Sequence, residues 1–519
     1  MADFTPHIGK NVIEILTLGM YEDPRFIFRE YVQNAADQID TAVEEKILDK
    51  KSDGEINIII DKENRLISIK DNATGIQNEN VLNFLGDVAN SQKDREKRKG
   101  FRGIGRLGGL GYCEKLVFET SYKGEPFKNI ITLNAKQLRQ IIDNKADVRD
   151  AAAVISAITD LNPEDALSEK HYFHVTLHNV TNDRLLNIAS VSDYLSMVAP
   201  IPFHPDFPMK WKEKIYNYYK ANRVAIDEYD VHLNLNENKL FKPYKSVFFK
   251  KRKQFSKLLD VVPFHIVSEE GEIIAIGWFG ITDKLNHQIP DENIERGIRL
   301  RKENIAIGNK FTLSRFFRQS RQNLNYIGEV HAIGSGFTPN ARRDYFNDSN
   351  FFKDTNTISY FEKKLKHEFS SLGSLTQDSS NLHNRLGDIK KYKDETKKFE
   401  LERKSGKLTD RQIEHKEEEI KNLKSKAKTS AKQIKKLKDK ATKNSSLLVV
   451  YQHIIGEEDI EIDASIYETG IPSQAFSFPL SQLSEECKKV VEEIFETIRE
   501  TLTISEAESL IKKIAERYN

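Results

Sequence analysis

The chain has 519 residues, enough for about three domains at roughly 150 residues each. Lysine plus arginine number 80 and aspartate plus glutamate 79, a net charge of +1, which excludes a globally basic nucleic-acid coat and an acidic tail but not a local basic patch. Two cysteines, Cys113 and Cys487, exclude a disulfide framework and any Cys/His zinc spacing, and no apolar run approaches the roughly 18 residues of a membrane span.

Cysteine usage fits a reducing compartment, and Met1–Lys10 has no basic stretch followed by an apolar one, so a cytoplasmic protein without a leader or membrane partner is expected. Ile8 to Asp49 reads as largely helical. Glu55–Ile60 and Leu66–Lys70 read as a strand pair around Lys62-Glu63-Asn64, followed by strands at Leu116–Thr120 and His174–Leu177. Pro200, Pro202 and Pro205 mark a boundary. Beyond it Val231–Leu235, Val261–Val267 and Glu272–Phe279 read as strands. Residues 355–445 turn rich in Lys, Glu and Gln. Ile413, Ile420, Ala427, Ile434 and Ala441 recur every seven residues, with Leu423 and Leu437 at d positions and Ser430 between them, a coiled-coil seam. Ser405-Gly406 interrupts the helix and Thr409 with Gln412 restarts it as a capping box, so a long antiparallel hairpin is expected, or else pairing with another subunit. Leu447–Ile455 reads as a strand, with amphipathic helices at 480–500 and 505–517. The fold class is α+β, divided at 1–200, 201–354, 355–445 and 446–519.

Three motifs carry chemistry. In Phe28-Arg-Glu-Tyr-Val-Gln-Asn-Ala-Ala-Asp37, residues Glu30, Asn34 and Asp37 stand at i, i+4 and i+7 and share one helical face. Asp71-Asn-Ala-Thr-Gly75 follows a strand; its carboxylate suits a buried exocyclic amine, an Asx turn being the plainer alternative. Gly100-Phe-Arg-Gly103-Ile-Gly105-Arg-Leu-Gly108-Gly109-Leu-Gly111 is dense enough in glycine for backbone amides to approach an anion. It follows no βαβ strand and lacks a Walker Lys-Ser/Thr ending.

In this order the motifs resemble the GHKL ATPase superfamily of gyrase, the Hsp90 chaperones, histidine kinases and MutL. The likeness is strongest to the Hsp90 group, whose N-terminal helix has a similar Phe-Leu-Arg-Glu-Leu-Ile-Ser-Asn-Ala-Ser-Asp run. Leu85–Ser91 resembles the start of that group's ATP lid, and Gly-Phe-Arg-Gly at 100–103 is nearer to MutL. The resemblance covers residues 8–180. It implies a Bergerat α/β sandwich, ATP and Mg²⁺ as cofactors, and hydrolysis of ATP to ADP and phosphate. Carried over by position, Glu30 is the general base, Asn34 the Mg²⁺ ligand, and Asp37 a support of the nucleotide pocket. Asp71 takes the adenine amine and Gly75 lines the base. The loop through Gly100, Gly103, Ile104, Gly105 and Arg106 to Gly108 wraps the phosphates. Phosphoryl transfer to water rests on such positioning and charge neutralisation. Two departures stand out: Ala73 replaces the first glycine of Asp-x-Gly-x-Gly, and Tyr172-Phe173 replaces a Gly-Thr pair, with Thr176 on the opposite strand face.

Residues 201–354 resemble the Hsp90 middle, or transducer, domain. Gly297–Gly308 looks like one of its strands, and Gly328-Glu-Val-His-Ala-Ile-Gly-Ser-Gly-Phe-Thr-Pro339-Asn340-Ala-Arg-Arg343-Asp344 resembles its catalytic loop. That places the γ-phosphate arginine at Arg343, with Arg342, Arg299 and Arg301 as fallbacks. Past residue 355 the resemblance fails, and the lysine-rich hairpin looks more like MORC ATPases. The implied protein is a homodimeric ATP-gated clamp, chaperone-like, with a protein client. The alternative is a MORC-like or phage-defence clamp on duplex nucleic acid. Lys421–Lys443 holds ten lysines against one acid, Asp439, which is either a solvated face or a polyanion-binding arm. A further alternative is a nucleotide-sensing module that does not hydrolyse. Ala73 and the missing Gly-Thr favour it; Glu30 opposes it.

Overall fold

Burial of alternate side chains shapes the first sheet. Glu55–Asp61 (β1) buries Ile56, Ile58 and Ile60, and Leu66–Asp71 (β2) pairs with it antiparallel, Ile58 opposite Ile69. The structure, a computed structural model, describes residues 8–15, 17, 22–81, 105–234, 239–347, 355–405 and 408–458, with scattered positions between 491 and 514. Contacts divide it into two compact units, Met1–Asn381 with Ala441–Ile454, and Leu382–Lys440 with Ile455–Asn519.

In the first unit, Phe26–Glu44 (α1) packs its apolar side on the sheet through Phe28, Val32, Ala36 and Ile39. The helix starts only after a turn at Asp23, whose carbonyl accepts from Phe26 N–H, so the expected helical stretch from Ile8 is broken. Lys115–Ser121 (β3), Phe127–Asn134 (β4), Thr159–Asp165 (β5) and Tyr172–His178 (β6) extend the sheet, and Ala135–Asp143 (α2) and Ala151–Ile158 (α3) cover it. Ile188–Val198 (α4) and Met209–Ala221 (α5) follow. After the prolines, Asp230–Leu233 (β7) returns to the same sheet, parallel to β1, giving the order β5-β4-β3-β6-β2-β1-β7. β5 carries Pro163, which an edge strand tolerates.

The second sheet runs β12-β11-β13-β10-β9-β8. Its strands are Val247–Lys250 (β8), Lys253–Val267 (β9), Ile273–Thr282 (β10), Gly297–Lys302 (β11), Ile305–Ile307 (β12) and Ile327–Ala332 (β13). β11 and β12 form a hairpin across Glu303-Asn304, both with positive φ, as a tight two-residue turn requires. Trp211, Trp278, Tyr244, Phe203 and Phe207 fill the core on one side of this sheet. The mixture of helices and sheets bears out the α+β class.

A buried ionic network fastens this sheet to the end of α4. Glu329 on β13 forms an ion pair with Arg301 Nε at 2.6 Å and accepts from Lys242 Nζ at 2.8 Å and His331 Nε2 at 3.1 Å. Arg301 also donates to the Met197 and Ala199 carbonyls, at 2.8 and 3.3 Å. Glu329 is held well below the ordinary carboxylate range; its desolvation is outweighed by Arg301 and Lys242. Burial, opposed by Glu329, pushes His331 down to about 4. Removing the shared anion leaves two buried cations, so Glu329→Gln should lower stability by about 3–5 kcal/mol. Urea unfolding followed by tryptophan fluorescence reads this region directly, because Trp211 and Trp278 both lie in this core.

Thr355–Lys404 (α6) begins in this unit, with Phe361 against Phe337 at 5.2 Å, Phe369 against Phe317 at 4.6 Å, and Tyr326 OH donating to the Leu372 carbonyl at 2.7 Å. The expected strand Leu447–Ile455 is a helix, Ser445–Glu458. Its buried residues Leu447, Val450, Tyr451 and Ile454 follow helical i, i+3, i+4, i+7 spacing, which the β-branched composition masked.

In the second unit, the rest of α6 pairs antiparallel with Asp410–Ala441 (α7). Asp388 meets Lys426 at 2.9 Å and Ser430 Oγ at 2.8 Å, while nearer the turn Arg403 meets Glu417 at 3.4 Å and Glu402 meets Lys416. The pairing is therefore within one chain. Ala427, Ala431 and Ile434 are buried, and Ser430 at its d position is satisfied by Asp388. Thr409 N–H donates to Gln412 Oε1 at 3.0 Å, one half of the expected capping box. The helices expected at 480–500 and 505–517 lie largely outside the described residues.

Candidate active site

A helix between a sheet and a second layer buries both its faces, and α1 does so with polar residues. Gln33 and Asp37 are 1% exposed, Glu30 and Asn34 half-buried. Buried polar side chains on a helix need partners or a ligand. Among the described residues, the Gln33 amide atoms and Glu30 Oε1 have no hydrogen-bond partner.

Glu30 lies under the 3₁₀ turn Gly105–Gly111. A Cβ at Gly105 would come within 2.4 Å of Glu30 Oε2 and 3.1 Å of its Cβ, so any larger residue there would displace the carboxylate. Tyr31 OH donates to the Arg106 carbonyl at 2.9 Å and pins the turn to α1. Gly100, Gly103, Ile104 and the lid segment Leu85–Ser91 lie outside the described residues.

Two guanidinium groups face the same oxygen. Arg29 Nη2 is 3.5 Å and Arg343 Nε 3.6 Å from Glu30 Oε1. Arg343 sits in a tight turn with φ of 55°, its N–H donating to Asn340 O and its carbonyl accepting from Gly308 N–H at 2.7 Å. A left-handed arginine is an unfavourable backbone state of the kind found at functional sites. Arg342 is exposed. Arg301 is committed to Glu329, and Arg299 donates to the Ile294 carbonyl. Of the four arginines singled out in the sequence, Arg343 is the one that meets Glu30. Arg29 was not singled out; its place directly before Glu30 was the available signal.

Asp71 ends β2, facing the sheet's core side, and accepts from Ala73 N–H at 3.0 Å. Burial pushes its carboxyl up to about 7, against the opposing Ala73 and Phe173 N–H groups. Ala73 does not have positive φ, so the turn accommodates the lost glycine. Gly75 does, with φ of 71°, and a Cβ there would meet the Ser121 carbonyl at 2.0 Å. Phe173 pairs with Asp71 across the strands and stacks on Phe118. Thr176 points with His174 to the other face, 3.3 Å from its ring nitrogen. The hydroxyl in the Asp71–Phe173 row is Thr120, buried on β3, which accepts from Ile76 N–H at 2.8 Å. A single strand pattern did not reveal it, because the row forms only when β2, β6 and β3 pair.

The domain thus carries a buried carboxylate beside a glycine turn, a carboxylate framed by two arginines, and two amide side chains on α1. The family of histidine kinase-, DNA gyrase B- and HSP90-like ATPases matches residues 26–164. Residues 26–164 form a GHKL ATPase domain, Hsp90-like in kind. The chain is similar to the chaperone protein HtpG of Clostridium botulinum (strain Loch Maree / Type A3), 29% identical over 119 residues, 21% of this chain and 19% of that one. It is also similar to HtpG of Bacillus licheniformis, 30% identical over 122 residues, 22% and 20% of the two chains. HtpG of Sulfurovum sp. is 29% identical over 93 residues, 17% and 15%. The chain thus spans about a fifth of the length of the curated relatives it matches.

Proposed function

We propose that the chain is an ATPase whose turnover drives a homodimeric clamp in the cytoplasm. The observation that carries this reading is Arg343 Nε at 3.6 Å from Glu30 Oε1, since two separately read motifs meet there. The donor set fits a nucleotide: a buried acceptor at Asp71 for an exocyclic amine, Gly75 against the base, and the Gly105 turn beside Glu30 for phosphates. Asn34 stands one helical turn from Glu30 and offers an amide oxygen, suited to Mg²⁺, which takes few protein oxygens beside phosphates. When bound, Mg²⁺ would neutralise phosphate charge.

Glu30 Oε1 accepts the proton of the attacking water, and Asp37 braces the helix behind it. At 3.5 and 3.6 Å its two arginine contacts are longer than hydrogen bonds, so the buried oxygen keeps its hydrogen-bonding capacity and Arg343 can exchange partners. Arg343 moves from Glu30 to the terminal phosphate, where its fork stabilises the developing charge. Hydrolysis then depends on where the loop after β13 stands relative to α1, and this couples chemistry to domain closure. A sensor without turnover would have no use for Glu30.

Arg343→Ala should cut steady-state ATP turnover about 100-fold while nucleotide affinity changes only a few-fold, and Arg342→Ala should do neither. Isothermal titration beside a phosphate-release assay separates the two effects. Unchanged turnover in Arg343→Ala would remove the arginine from the mechanism. A protein client would follow the relatives named as chaperones; the hairpin points to another partner.

A further inference from the structure

The pairing of α6 and α7 gives the lysine run a direction that composition alone lacks. With Ile420, Ala427 and Ile434 at a, Lys421, Lys428 and Lys435 fall at successive b positions, Lys424 and Lys438 at e, and Lys432 at f. These six therefore line one flank of α7. Lys421, Lys432, Lys435 and Lys438 are exposed, and Lys424 and Lys428 half-buried. The acid opposite α7, Asp388, bonds Lys426 at a g position, on the other flank, so between Lys421 and Lys443 the stripe's six lysines share their flank with one acid, Asp439 at f.

The stripe's chemistry narrows its partner. Successive b lysines are about 10 Å apart, and Lys421 to Lys438 spans about 26 Å. The apolar side of α7 is already used, with Ala427, Ala431 and Ile434 buried, so no apolar face is left for a lipid surface. No aromatic residue lies between Lys421 and Lys443, so there is no stacking platform for single-stranded bases. Lysines act as point charges rather than the bidentate forks that read base edges. A straight row of such charges matches a backbone carrying one negative charge per about 1.7 Å of axis. We propose that this flank docks the phosphate backbone of duplex DNA without sequence preference. The proposal extends the ATPase reading by naming its partner, but the docking needs no nucleotide.

The test is binding of a fluorescent 30-base-pair duplex to the full chain, without nucleotide, across a salt series. Wild type should bind with a steep salt slope. The triple variant Lys421→Gln, Lys428→Gln, Lys435→Gln should bind at least about tenfold more weakly at moderate salt, its slope smaller by about 3. Lys436→Gln, outside the stripe, should change affinity little, and circular dichroism checks that the hairpin persists. Equal binding by wild type and the triple variant overturns the proposal, as does stronger binding to phosphatidylserine vesicles than to the duplex. ATP turnover without DNA reads the other proposal separately. A chain that hydrolyses ATP and ignores DNA overturns only the docking, and one that binds DNA without turnover overturns only the ATPase.

Discussion

Asp71→Asn should abolish measurable ATP binding and at the same time make the nucleotide-free protein more stable above neutral pH. The carboxylate accepts the exocyclic amine in the proposed site, whereas an amide can turn a donor toward it, a loss of about 100-fold or more in affinity. The stability gain has the opposite origin. Burial raises the folded-state Asp71 to about 7, from 3.8. A carboxyl whose folded value is raised contributes stability below its unfolded value and loses it as pH rises through the folded one. Between about pH 4 and 7 the fold thus gives up as much as about 4 kcal/mol, and the uncharged amide of the variant would not incur that loss. Thermal melts at pH 5 and 8 should show the variant gaining at both, and by clearly more at the higher pH. In wild type, ATP affinity should fall about tenfold per unit as pH drops below 7, because the amine selects the ionised form. An Asp71→Asn protein that still binds ATP tightly would mean that another group reads the base.

Glu30→Gln should lower ATP turnover by about a thousandfold and leave nucleotide affinity within a few-fold, the signature of a lost general base. Glutamine keeps the volume that packs under Gly105, so the variant tests chemistry rather than packing. Single-turnover kinetics beside equilibrium binding distinguishes this from a binding defect. Normal turnover would assign the proton to another group, and a parallel collapse of affinity would make Glu30 a nucleotide ligand instead.

Much of this was legible because local patterns decide it. Alternation set β1 and β2, helical spacing put Glu30, Asn34 and Asp37 on one face, and the heptads with the Ser405-Gly406 break foretold the hairpin. The apolar run at 447–455 misled because β-branched residues and helical periodicity competed there, and burial on one side of a helix won.

The sequence by itself determined which residue types stand at the site: an acid one turn from an amide, an acid leaving a strand, glycines where backbone must approach. These are nearest-neighbour properties, set by the 3.6- and 2-residue periods. Only the tertiary structure decided which of four arginines meets Glu30, that Thr120 shares the row of Asp71 and Phe173, that β7 rejoins the first sheet, and which flank of α7 carries the lysines that Asp388 does not meet. Each of those depends on groups far apart in the chain, whose meeting is fixed by strand pairing and burial and leaves no local period to read.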